Sequence, residues 1–380
     1  MDGLSSDCLF AIFARFPMPE LLSLRVLNSN WNFLINDHCS RTHSLQLFGS
    51  WYDQNRHEIT IAKRHFSYII DFGDLKARNA MAILKSADSK REAELQPFCI
   101  IPDTFPNIYN LMINNCQELY ELHLPAMLKR WPKLTTLSLH SIPGPEKLHP
   151  LFWSSINALT CLRSLNLVHM FSSVLPAEFP ALKYLSHFAL VHYRGPVAPI
   201  LAQLGPNCQS IVLCWVYLNF KHFESLLRIN PHLAKRLEHL TLEYINSTLC
   251  SRMENFELIL RLAAEHFTNL RSLNIMLADS LLLSTLIPIL GKFSRLTSVT
   301  LYICKDQLDC PISQLAPLVQ ITKLSIEIYG LTLDQFTELM LVFPNLTKLS
   351  IKSDFDSQKE MFRQILKRHL ANVQVVEIWD

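Results

Sequence analysis

The chain has 380 residues, of which 49% are hydrophobic and 18% charged, and its formal net charge is +2. This much apolar material excludes a disordered chain, and the small net charge is atypical of a dedicated nucleic-acid binder. The sequence begins without a secretory signal, and its most apolar stretch, Leu281 to Leu290, is too short to span a bilayer. We therefore expect a protein of the cytosol or nucleus whose cysteines are reduced and mostly buried.

The first forty residues predict three short helices. Ser5 or Ser6 can cap a helix that runs to about Phe16, Pro17 ends it, and the third helix carries Trp31. So small a module buries little surface, yet it holds more large apolar side chains than its own centre can use. We therefore expect a helical module that a partner protein completes.

The apolar residues of this module stand at the spacing of the F-box family, which the segment resembles through Leu4, Leu9, Ile12, Phe13, Phe16-Pro17, Leu21-Leu22, Leu24 and Trp31. The resemblance implies that residues 1–40 bind a Skp-type adaptor and, through it, a cullin ubiquitin ligase. The family's adaptor contacts correspond here to Leu4, Leu9, Phe13, Phe16, Pro17, Leu21 and Trp31. The alternative is a helical cap that shields the end of the following repeats.

Residues 41–104 are weakly patterned and predict an irregular linker with two degenerate starting repeats. Leu45-Gln46-Leu47 and Ile70-Asp71-Phe72 each place two apolar residues around a polar one. The segment from Lys76 to Glu94 is charged and helix-prone, which favours a solvated helix or loop over a functional insertion.

Residues 105–380 repeat one pattern, in which apolar residues stand at positions 1, 4 and 6 of each unit. The first positions are 23 to 33 residues apart: Ile108, Leu134, Leu162, Leu185, Cys208, Leu237, Leu270, Leu296, Ile321, Leu346 and Val373. This is the period of leucine-rich repeats, which this part of the chain resembles. The resemblance implies an α/β fold in which a three-helix F-box precedes a solenoid with parallel strands on its concave face and helices on its convex face.

The segments between the strands predict helices, of which the clearest are Asn255 to Phe267, Leu333 to Phe343 and Gln358 to Leu370. Position 9 of each repeat, commonly Asn or Cys in the family, is here mostly an apolar residue such as Ile142 or Val216. The chain therefore lacks an asparagine ladder, and its turns must satisfy their backbone groups by other means.

No arrangement of residues predicts catalysis, a metal site or a cofactor. The histidines near the predicted strands, among them His140 and His187, are expected to be solvated surface residues. Trp131, Trp153 and Trp215 adjoin repeat elements and are expected to pack. We therefore expect a binding protein rather than an enzyme.

Strand alternation places positions 3, 5 and 7 on the exposed face, where large and charged side chains concentrate toward the C-terminus. Lys323 and Lys348 fall in one column, so an acidic or phosphorylated ligand would relieve their repulsion. The alternative is that Glu327 pairs with Lys352 and that water screens the rest. The predicted target-binding residues are Tyr302, Lys323, Lys348, Lys352 and Trp379.

Together, the two resemblances predict the substrate-recognition subunit of a Skp–cullin–F-box ubiquitin ligase. The predicted partners are the adaptor, the cullin ligase and one target protein, with neither nucleic acid nor membrane involved. The alternative function is a ligase-independent leucine-rich-repeat scaffold or inhibitor.

Overall fold

The computed structural model describes residues 35, 37–39, 41, 43–48, 68–71, 101–103, 105–116, 119–144, 147–170, 182–216, 218, 220–243, 253–276, 281–304, 307–353, 364 and 373–378. The F-box module up to residue 34 and the charged segment at 76–94 lie outside this set, as does all but one residue of the helix expected at 358–370. The chain divides into a first unit, Met1–Leu185, and a second unit, Ser186–Asp380. Each unit is described by itself.

The first unit contains a sheet of parallel strands in the order β2-β1-β3-β4-β5. The strands are β1 Ser44–Phe48, β2 Tyr68–Asp71, β3 Asn110–Asn114, β4 Thr136–Ile142 and β5 Ser164–Met170. A π-helix, Leu119–His123, runs directly into α1, Leu124–Arg130, and α2 is Phe152–Asn157. From β3 onward each strand lies beside its neighbour in sequence, as a repeat array requires.

The two degenerate starting repeats form strands, but they do not stack in chain order. β1 lies between β2 and β3, so β2 is the outer strand. The register also differs from the aligned pattern, because Ile70 pairs with Leu47 rather than Leu45. The long connection between β2 and β3 allows the chain to return to the other side of β1, whose Leu45 and Leu47 are fully buried.

The second unit contains eight parallel strands in strict chain order. They are β6 His187–Tyr193, β7 Ser210–Val216, β8 His239–Glu243, β9 Ser272–Met276, β10 Ser298–Cys304, β11 Lys323–Tyr329, β12 Lys348–Ser353 and β13 Gln374–Ile378. Every strand from β3 to β13 falls at a predicted apolar site. The α/β fold with parallel strands is therefore confirmed for the described residues.

The connections of the second unit carry helices α3 Ala198–Leu201, α4 Phe220–Ile229, α5 Pro231–Arg236, α6 Met253–His266, α7 Leu283–Gly291 and α8 Leu333–Leu341, with a 3-10 turn at Ile312–Gln314. The helices predicted at 255–267 and 333–343 are α6 and α8, displaced by two residues or fewer at each end. α8 begins at a capping box in which Thr332 and Gln335 bond each other's backbone N–H groups.

The core lies on one face of each sheet. The side chains at positions 4 and 6, from β3 to β12, are at most 3% exposed, and Leu165 and Leu273 are fully buried. Positions 3, 5 and 7 point to the other face and are mostly partly exposed, with Asn114, Ser138 and Ala189 as buried exceptions. We call this second surface the open face. The strand period of two therefore separates the core from the open face, as predicted.

The strand ends show how the chain manages without an asparagine ladder. Position 8 adopts a left-handed backbone in five consecutive repeats, with φ between 53° and 58°, at Asn115, Ser141, His169, His192 and Trp215. This backbone turn carries position 9 back into the core, where Ile142 and Val216 are at most 2% exposed. An apolar side chain thus replaces the polar ladder residue.

Polar side chains complete the turns by donating to backbone carbonyls of their own or the neighbouring repeat. The Tyr120 hydroxyl donates to the carbonyls of Ile113 and His140 at 3.0 and 2.7 Å. The amides of Asn269 and Asn345, each one residue before position 1, donate to the carbonyls of Lys235 and Val319 at 2.5 and 2.7 Å. Threonines at position 2 form a further ladder of this kind through Thr135, Thr297, Thr322 and Thr347.

The last strand departs from the predicted register by one residue. Leu349 pairs with Val375 and Lys352 with Ile378, whereas the pattern aligned these residues with Val376 and Trp379. Val375 and Val376 both offer a branched apolar side chain, so the sequence does not fix one register here. Trp379 itself lies outside the described residues.

Candidate interaction surface

The open face of the second unit is organised in columns, because neighbouring strands pair position by position. Ser298, Lys323 and Lys348 align at position 3, and Thr300, Ser325 and Ser350 align at position 5. Position 7 aligns Tyr302, Glu327 and Lys352. Side chains in one column on adjacent strands lie close enough to interact. The three columns therefore form a continuous surface of side chains across the sheet.

The structure brings four of the five predicted target-binding residues onto three neighbouring strands. Lys323 is paired in register with Lys348, and Glu327 is paired with both Tyr302 and Lys352. Both position-3 lysines are exposed, whereas Tyr302 and Lys352 are partly buried. The ring of Tyr302 lies 5.3 Å from that of Tyr329, measured between centroids, with 32° between their planes. Aromatic and cationic groups thus share this end of the open face.

The carboxylate of Glu243, on the same face, accepts a hydrogen bond from a neighbouring side chain. The Asn274 amide donates to Glu243 Oε1 at 2.7 Å from the neighbouring strand. Burial, together with the nearby Glu243, raises the pKa of the Cys214 thiol to about 12. Cys214 is therefore a neutral thiol at physiological pH, without the thiolate character of a nucleophile.

Trp215 was expected to pack, as Trp131 and Trp153 do, but it packs outside the core. Trp131 and Trp153 are at most 5% exposed, but Trp215 is 41% exposed and stacks on His192. The two ring centroids are 5.4 Å apart and the planes differ by 9°. Both residues occupy position 8, where the left-handed backbone turns the side chain out of the core. A polar or aromatic residue before a buried position 9 is the signal that could have identified this pair.

The histidines of the open face are more buried than the sequence suggested. Burial lowers the pKa of His140 to about 4, with a smaller contribution from His169, and the Ser138 hydroxyl lies 3.0 Å from its Nε2. Burial and then His239 lower the pKa of His187, whose Nδ1 lies 2.8 Å from the Ser210 hydroxyl. His140 is therefore neutral at physiological pH and acts as a hydrogen-bonding group.

The described residues contain no cluster of three His, Cys, Asp or Glu side chains that could hold a metal ion. Within the same ranges, no helix is long and apolar enough to cross a membrane. The predicted adaptor-binding residues, Leu4, Leu9, Phe13, Phe16, Pro17, Leu21 and Trp31, all lie outside the residues that the structure describes.

Comparisons with known proteins address that N-terminal part. The F-box domain model matches residues 1–43. The comparison with curated proteins found no match. Among solved structures, the chain is similar to one from the crystal structure of the Rad7 and Elc1 complex in yeast. The identity is 17%, the match covers 67% of this chain and 72% of that chain, and the TM-score is 0.42.

The family match falls on the segment whose apolar spacing the sequence had identified, and the repeat strands begin soon after it. The chain therefore carries an F-box domain at residues 1–43, followed by parallel-strand repeats.

Proposed function

We propose that this chain is the substrate-recognition subunit of a Skp–cullin–F-box ubiquitin ligase. The F-box domain at residues 1–43 carries the proposal, because F-box domains bind Skp-type adaptors. In this role the F-box contacts the adaptor through Leu4, Leu9, Phe13, Phe16, Pro17, Leu21 and Trp31. The repeats hold the target, and the chain itself performs no catalysis because the chemistry belongs to other subunits.

The target site in this proposal lies on the open face of β10 to β12, at Tyr302, Lys323, Lys348 and Lys352, with Trp379 beyond the described part of β13. The arrangement of the second unit supports this choice. An aromatic pair and three lysines occupy adjacent strands there, and tyrosine is among the residues that most often anchor protein interfaces.

The decisive experiment changes Leu9 and Phe13 to Asp in the full chain and measures co-purification with a Skp-type adaptor. A charge buried in an apolar interface is strongly unfavourable, so adaptor binding should be lost while the repeats stay folded. A matched control places Asp at Leu122 and Leu341, which are 54% and 68% exposed, and should bind normally.

Adaptor binding that survives the Leu9 and Phe13 substitutions would show that these residues do not form the adaptor interface. A wild-type chain that does not bind the adaptor would remove the basis for the ligase role and would be better described as a ligase-independent scaffold or inhibitor. Target recruitment is tested separately by Ala substitution of Tyr302, Lys323, Lys348 and Trp379, followed by quantitative comparison of the proteins retained with the adaptor complex. Unchanged recruitment would place the target site elsewhere.

A further inference from the structure

Position 3 of the second unit forms a column in which no side chain can carry a negative charge. Across β6 to β12 it contains His187, Ser210, His239, Ser272, Ser298, Lys323 and Lys348, and the shifted register of β13 adds Gln374 to the column. Four of these side chains can be cationic and the others are neutral hydrogen-bonding groups. We call this column the basic strip.

The two lysines of the basic strip repel each other. Lys323 and Lys348 are directly paired across strands that lie about 4.8 Å apart, and like charges in that position destabilise a sheet. Both are exposed, and neither forms an ion pair with a carboxylate among the described residues. The repulsion is therefore not offset by a neighbouring acid in that part of the chain.

The carboxylates of the open face lie in another column, at position 7. Glu243 accepts a hydrogen bond from Asn274, and Glu327 is paired in register with Lys352. Glu238 directly precedes His239 of the strip, and its carboxylate lies 3.6 Å from the guanidinium of Arg271. Glu243 and Glu238 thus have partners of their own, and Glu327 lies four residues along β11 from Lys323, so neither lysine of the basic strip has a carboxylate beside it in the described part of the open face.

The other end of the basic strip shows the same coupling between cations. His187 lies two strands from His239, and the Ser210 hydroxyl between them is 2.8 Å from the His187 ring. Besides burial, the charge of His239 lowers the pKa of His187. An anion placed beside His187 would oppose this effect, because it would favour the protonated form of that imidazole.

We propose that the basic strip binds an acidic or phosphorylated segment of the target protein, running across the strands from His239 toward Lys348. This inference rests on the proposed function and names the chemistry of its target. Four strand spacings separate the two residues, about 19 Å, which about six residues of extended chain would cover. The neutral side chains of Thr300, Ser325 and Ser350 in the next column offer hydrogen bonds to the backbone of such a segment.

A peptide fits the strip better than a nucleic acid does. The strip is one side chain wide and contains only two permanent cations, and the whole chain has a net charge of +2. A protein that binds nucleic acid tightly usually neutralises many phosphates with a broad basic surface.

The test uses the full chain, both alone and mixed with its adaptor, and follows the fluorescence anisotropy of labelled peptides of about six residues, matched to the strip length. The probes are an oligoglutamate, a Gly-Ser peptide with two phosphoserines, its unphosphorylated form, an oligolysine and a labelled single-stranded oligonucleotide. The charge-reversal variant is K323E/K348E. Its control is K133E/K292E, which makes the same charge change at two exposed lysines outside the open face. A second pair, K323Q/K348Q, removes charge without adding carboxylates.

The oligoglutamate or the phosphorylated peptide should bind the wild type, and added salt should weaken the binding. K323E/K348E should lose about tenfold or more in affinity, because each reversal removes an attraction and adds a repulsion, while K133E/K292E should bind normally. Equal binding by the two charge-reversal variants would overturn the proposal, as would tighter binding of a single-stranded oligonucleotide than of either anionic peptide.

Adaptor co-purification is scored in parallel, so the two proposals fail separately. Normal adaptor binding without any anionic peptide binding rejects the strip alone. Lysine-dependent peptide binding by a chain that does not bind the adaptor supports the strip and rejects the ligase role.

Discussion

The Tyr120 hydroxyl is a buried bridge between two strands of the first unit. The side chain is fully buried, and the hydroxyl donates to the carbonyls of Ile113 on β3 and His140 on β4. Tyr120→Phe removes this one oxygen and preserves the ring. A buried carbonyl that loses its donor costs about 1–3 kcal/mol. The His140 carbonyl keeps the Asn115 N–H at 3.3 Å, so we expect a loss of about 1–2 kcal/mol.

Tyr193 provides the matched control in the second unit. It is 1% exposed, and its hydroxyl has no hydrogen-bond partner among the described residues. Burial raises its pKa to about 12. Tyr193→Phe removes an unpaired buried polar group, so we expect the free energy of unfolding to stay constant or rise.

The assay is urea unfolding followed by circular dichroism, with hydrogen exchange at the amides around Ile113 and His140 as a local measurement. The local measurement is needed because repeat proteins can unfold in parts. Tyr120→Phe should lower the unfolding midpoint and raise exchange at the ends of β3 and β4. If Tyr120→Phe and Tyr193→Phe had the same effect on stability, the hydroxyl bridge would not stabilise the turns.

Two further perturbations test the core and its response to pH. Leu273→Asp places a charge at a fully buried position and should unfold the repeats around β9, whereas Ser272→Asp on the open face should be tolerated. Circular dichroism and limited proteolysis compare the two variants. If both variants stayed folded, the assignment of the core face and the open face would be contradicted. The pKa of His140 is lowered from 6.5 to about 4, so the native state binds fewer protons than the unfolded state below pH 6.5. Stability should therefore be intact above pH 6.5 and fall progressively toward pH 4, by roughly 3 kcal/mol at most. His140→Gln should reduce the change of the thermal-unfolding midpoint with pH over this range. If the variant kept the pH dependence of the wild type, the acid sensitivity would arise from other groups.

The positions of the repeat strands could be predicted because a strand that buries one face has only one tolerable alternation. A slip of one residue would exchange buried leucines such as Leu273 and Leu324 for the partly exposed and exposed residues beside them, such as Asn274 and Lys323. The same constraint predicted from the sequence that one surface contains Lys323, Lys348, Tyr302 and Lys352. Where the constraint weakens, as in β13 with its two adjacent valines, the predicted register was wrong.

The features that the sequence did not predict depend on contacts between distant segments. No glycine stands at the left-handed position 8, so the sequence at Ser141 and Trp215 lacks the residue that usually marks this backbone conformation. The Tyr120 bridge joins residues on a π-helix and two strands, which no periodicity reveals. The outer position of β2 likewise depends on pairing with β1 across a weakly patterned segment. Local patterns define the repeats, and the strand ends are set by tertiary contacts.

The composition of the basic strip is not imposed by the sheet. Position 3 holds serine in β7, β9 and β10, so the strand pairing is compatible with a small neutral side chain there. The chain also pairs opposite charges in register elsewhere, as Glu327 and Lys352 show four residue pairs further along the same two strands. Two paired lysines therefore make this sheet less stable than serine at position 3 or a pair of opposite charges would. A ligand that supplied the missing charge would recover this free energy, and this relation is the physical basis for proposing an anionic target at β11 and β12.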